Sequence, residues 1–61
     1  DLPRARLASA EQQVMRRNYF EALRSAQAAE AGLEQGTPDW IRAQDISLLA
    51  RAELERLRDS R

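Results

Sequence analysis

Apolar residues recur along this 61-residue chain at helical spacing, and few helix breakers interrupt them. From Ala10 to Gln35 there is no proline. Ala, Glu, Gln, Arg and Leu dominate that stretch, and all of them lose little side-chain freedom in a helix. Met15, Tyr19, Ala22, Ala26, Ala29 and Leu33 follow one another at steps of three or four, so they share one stripe at 100° per residue, widened by Leu23. The middle of the stripe is alanine, which allows a neighbouring helix to approach closely. Ser9 followed by Gln12 matches a capping box and places the start of this helix at residue 9. Pro3 biases the residue before it toward extended backbone, so residues 1–8 read as a lead-in arm.

Gly36 supplies a residue able to take a left-handed conformation after the helix. Thr37, Pro38 and Asp39 then read as an N-cap, a proline suited to the first helical position and an acid facing the helix dipole. A second helix follows to about Asp59. Gly32 is a weaker stop signal, at which the first helix could already fray. The predicted fold is therefore all-α: an antiparallel hairpin over residues 9–61, with helices at about 9–35 and 38–59, completing a bundle with a partner or a second copy. One continuous rod is the alternative, disfavoured by Gly-Thr-Pro.

The second helix carries more apolar surface than one stripe holds. Ile41, Leu48 and Ala52 form one group, Ala43, Ile46, Ala50, Leu54 and Leu57 another, with Leu49 between them and Trp40 near neither centre. A hairpin partner covers only one side, and a helix apolar over more than one stripe is expected to be buried by more than one neighbour. Phe20 lies off the stripe of the first helix. Phe20, Trp40, Ile46, Leu48, Leu49 and Leu54 are accordingly the predicted partner-binding residues. The competing possibility is that Trp40 and Ile41 fold over the turn while Phe20 packs on Leu2 and Leu7, leaving no surplus.

Composition narrows the function classes. A domain of this size buries a smaller share of its surface than a larger one, and such chains find extra stability in disulfides, a metal or association. There is no Cys and no His, so neither a disulfide framework nor an ordinary zinc site can be built, and association remains. No cofactor site is expected. Catalysis would lack His, Cys and Lys as nucleophile or near-neutral base, which argues against an enzyme. Glu30 and Glu34 lie a turn apart, but a bundle metal site would also need histidine. All ten cations are Arg, balanced by ten acids and spread evenly over both halves of the chain. No basic half exists to follow a phosphate backbone; the cluster of Arg16, Arg17 and Arg24 is interrupted by Glu21, so nucleic-acid binding is not expected. No apolar run reaches the ~20 residues of a membrane span. The cytoplasm is the default compartment, with periplasm or secretion left open, and the start at Asp1 suggests trimming before it.

Two resemblances accompany this reading. In size and hairpin layout the chain resembles the plasmid copy-number regulator that dimerises into a four-helix bundle and binds RNA hairpins. From Ala22 to Leu57, a long helix, a glycine-containing turn, Trp40, Gln44 and a closing Ala52-Glu53-Leu54 resemble the small hairpin co-chaperones of type III secretion needle subunits. The expected function is a non-catalytic protein-interaction module that packs surplus apolar helix faces on a larger protein, as a co-chaperone, adaptor or assembly subunit, for example of a bacterial secretion system. The alternative is a self-associating four-helix-bundle homodimer with a structural or RNA-binding regulatory role.

Overall fold

In the computed structural model, which describes residues 1–60, the chain forms three helices: α1 (Leu2–Met15), α2 (Tyr19–Gly32) and α3 (Pro38–Asp59). The described residues include no strand. α1 and α2 are packed antiparallel. At one end of the pair Pro3 faces Gly32, and near the other Ser25 Oγ donates a 2.7 Å hydrogen bond to Gln13 Oε1. α3 turns back along α2, which it contacts more extensively than it contacts α1. The long dimension of 39 Å follows from α3, whose 22 residues at about 1.5 Å each outreach the two 14-residue helices.

Two expectations need correction. The lead-in arm of residues 1–8 is helical, because Pro3 stands in the first turn of α1, where a missing N–H removes no intrahelical bond. Ser9 and Gln12 consequently lie inside α1 and cap nothing. The helix expected over 9–35 is two helices, broken at Arg16, Arg17 and Asn18. The break is a Schellman motif: Asn18 N–H donates to Gln13 O at 2.8 Å and Arg17 N–H to Val14 O at 2.9 Å, closing the last carbonyls of α1. Arg17 has φ 61°, the left-handed position where glycine normally stands. The hairpin expected from one turn is thus a three-helix chain with two turns.

The turn between α2 and α3 follows its local chemistry. Thr37 N–H bonds Glu34 O at 3.2 Å, and Gly36, third of that four-residue turn, has φ 88°, which a residue with a Cβ rarely adopts. Thr37 Oγ1 donates to Glu34 O at 2.7 Å and accepts from Trp40 N–H at 3.3 Å, so one hydroxyl closes the turn and caps α3. α3 therefore has the bounds its capping residues indicate.

The interior is built from small residues. Ala10, Ala22, Ala26, Ala29, Ala43 and Ala50 are fully inaccessible, Leu7 and Ile46 are buried, and Val14 and Leu33 pack against this cluster. Among the described residues no large side chain is fully enclosed. Alanine at the contacts brings the helices close but removes little apolar area from water per residue, so the core supplies modest stabilisation. Two polar pairs lie between helices: Gln13 with Ser25, and Ser47, which is 4% exposed and donates to Glu30 Oε2 at 2.8 Å. The second satisfies the buried Ser47 hydroxyl, which would otherwise be stranded.

Candidate protein-binding surface

α3 carries two apolar groups and receives neighbours within the chain for one. Ala43, Ile46, Ser47 and Ala50 recur at three or four residues and face α1 and α2. On the opposite side Ile41, Leu48 and Ala52 are exposed, separated by seven and four residues and therefore on one stripe. Leu49 borders that stripe and is 44% exposed.

Between α1 and α3 the sparse packing leaves an open groove of about 270 Å³, lined by Val14, Met15, Ile46 and Leu49 with Glu11, Arg42 and Asp45 at its edges. Arg42 Nε donates to Glu11 Oε2 at 2.7 Å across it, an ion pair between side chains 62% and 38% exposed and therefore of small energetic weight. Arg4 similarly lies 3.6 Å from Asp39. The groove floor is apolar, and its edge carries both signs of charge.

The predicted partner-binding residues are distributed unevenly over this geometry. Ile46 and Leu49 meet in the groove, but Ile46 is 6% exposed and belongs to the chain's own core, so it is a floor and not a free contact. Leu48 projects outward on the adjacent stripe. Trp40, in the first turn of α3, and Leu54, toward its end, are half-buried. Phe20 is exposed in the first turn of α2 and does not line the groove. The packing of Phe20 on Leu2 considered above is not formed to any protective extent: both remain more than half exposed.

Met15 is the residue that sequence reasoning misplaced. Expected on the alanine stripe of a continuous helix, it is 83% exposed because the break after it folds α1 back along α2 with Leu7, Ala10 and Val14 on its inner face. No glycine or proline marks that break; its one signal in the sequence is Asn18, a residue type favoured at helix starts, which stands at the N-cap of α2. Val14 is likewise missed as a groove residue, whereas Ile41 is grouped with Leu48 and Ala52 but left out of the predicted contacts.

Charge around this surface is local and exposed. Glu53 and Arg56, three residues apart on α3, form an ion pair at 2.7 Å; its hydrogen bond, followed by the charge of Glu53, raises the Arg56 pKa above the ordinary guanidinium value. Arg17–Glu21 cannot form as a helical pair, since Arg17 lies in the turn. Among the described residues there is no group of acids able to hold a metal ion, and no helix is long and apolar enough to cross a membrane.

Comparison with family models, with curated proteins and with solved structures returns no match to this chain. Its surface is the guide to its role.

Proposed function

We propose that this chain is a non-catalytic protein-interaction module, of the co-chaperone, adaptor or assembly-subunit kind, that docks a larger protein on the outer face of α3 and the adjoining α1/α3 groove. One observation carries the reading: alanine fills the interior while Leu2, Met15, Phe20, Ile41, Leu48, Leu49 and Leu57 are each 44% exposed or more. A chain of this size gains most by burying its largest apolar side chains, at roughly 1.5–3 kcal/mol each. Leaving them outside is consistent with a second protein that covers them. Ile41, Leu48 and Leu49 provide a contiguous strip, and Met15, on an unbranched flexible side chain, adapts to what enters the groove.

The test uses Leu48→Asp with Leu49→Asp, because both side chains are exposed and their replacement is expected to leave the fold intact. Affinity capture from extract of the cells that make the protein, with the double variant as matched control, is expected to retain a protein on the wild type and lose it on the variant. Circular dichroism of both chains should agree. Identical capture and identical sedimentation of the two chains would overturn the reading.

A second reading, self-association of two copies into a four-helix arrangement, is favoured by the strained connection between α1 and α2, where Arg17 is held at φ 61°.

A further inference from the structure

The connection between α1 and α2 holds a contradiction between local and tertiary preference. Between Pro3 and Gly32 there is neither proline nor glycine, and Met15, Arg16 and Arg17 are good helix formers, although Asn18 suits the N-cap position that it takes at α2. Yet Arg17 is held at φ 61°, an unfavourable conformation for a residue with a Cβ. What holds it there is the docking of α1: Leu7, Ala10 and Val14 against Ala26, Ala29, Ala43 and Ile46, the Gln13–Ser25 hydrogen bond, and two exposed ion pairs to α3. Short connections under strain are the ones that favour exchange of an element between copies.

We infer that α1 is an exchangeable arm: Arg16, Arg17 and Asn18 become helical, and α1 of one chain occupies, on α2 and α3 of a second copy, the seat it holds here on its own. The occupant of that seat is a second copy because only an identical α1 reproduces every contact just named, so the exchange loses none of the packing and relieves the left-handed Arg17 in both chains. In the opened form α1 and α2 run on as one helix of about 31 residues, roughly 46 Å long. Met15, 83% exposed here, then falls on the stripe of Tyr19, Ala22, Ala26, Ala29 and Leu33. This inference uses the inner face of α1 and is independent of the outer face of α3.

Two substitutions at the exposed Arg17 pull the equilibrium in opposite directions: Arg17→Gly accepts the left-handed turn, and Arg17→Ala favours the continuous helix. Sedimentation equilibrium over a dilution series is expected to show Arg17→Ala dimerising at least about tenfold more tightly than Arg17→Gly, with the wild type between them. The topology is read separately. The chain has no cysteine, so Gln13→Cys with Ser25→Cys, joined by a short bis-maleimide, reports whether residues 13 and 25 meet within one chain or across two. Covalent dimers from the dimeric fraction support the exchange. Monomers at every concentration for both Arg17 variants, or a dimer whose cross-links remain within single chains, overturn it; in the latter case loss of the dimer with Leu48→Asp and Leu49→Asp would assign the association to the outer face of α3 instead.

Discussion

Gly32 and Pro3 touch so closely that a Cβ on Gly32 would lie 2.6 Å from the Pro3 Cγ and 3.1 Å from its Cβ. The end of α2 is thereby keyed to the start of α1. A proline ring cannot swing aside as a long side chain does, so a methyl group here has to displace the first turn of α1. Gly32→Ala is expected to destabilise the chain by about 1–3 kcal/mol, against a helix-propensity gain of nearly 1 kcal/mol in the other direction. Urea denaturation checks the sign, and a rise in midpoint would mean that α1 does not rest on α2 as described.

Arg17 and Arg24 should respond oppositely to the same replacement. Arg17→Gly relieves a left-handed side chain of a strain of about 1–2 kcal/mol, partly offset by the greater freedom of glycine in the unfolded chain. Arg24→Gly, in the exposed interior of α2, costs about 1 kcal/mol. Thermal melts of the two variants should move apart by about 4–16 °C, at 4–8 °C per kcal/mol for a domain of this size. Equal shifts would show that Arg17 is not held in the left-handed region.

The alanine interior tolerates growth poorly. Ala26→Leu and Ala29→Leu insert bulk where helices meet and are each expected to cost about 1–3 kcal/mol, in spite of leucine's greater hydrophobicity. Leu48→Ala, on the outside, should change stability by less than about 0.5 kcal/mol. Chemical denaturation of the three variants distinguishes a close-packed interior from a loose one.

Ile46 and Leu49 both line the groove, but only Ile46 is buried. Ile46→Asp is expected to unfold the chain, since it buries a carboxylate with no partner, whereas Leu49→Asp leaves the helicity intact. Circular dichroism at 25 °C reads the difference directly. Helicity preserved in both would place Ile46 on the surface.

Ser47 and Glu30 form the polar tie between α2 and α3. A double-mutant cycle with Ser47→Ala and Glu30→Ala is expected to return a coupling of about 1 kcal/mol. Ser47→Ala alone should be mild, because alanine suits a helix and the half-buried Glu30 still reaches water. A coupling indistinguishable from zero would mean that the bond contributes nothing beyond what water provides.

The amino-acid order alone determined α3. Thr37, Pro38 and Asp39 start it and Gly36 turns the chain before it, because capping and turn formation use groups within four residues of one another. It also determined that alanine at positions 22, 26 and 29 would line a contact between helices, since helical periodicity brings those residues to one face wherever the helix goes.

Tertiary structure decided the rest. Arg16 and Arg17 suit a helix and only Asn18 favours a helix start; docking of Leu7, Ala10 and Val14 onto α2 and α3 outweighs the strain at Arg17 and breaks the helix there. The same docking makes Pro3 part of a helix and not of an arm, and carries Met15 out to solvent. α3 has two apolar faces of similar strength in the sequence. Which one the protein covers, with Ile46 inside and Leu48 and Leu49 outside, depends on how many neighbours the chain itself can bring to it, and the two short helices α1 and α2 reach only one side.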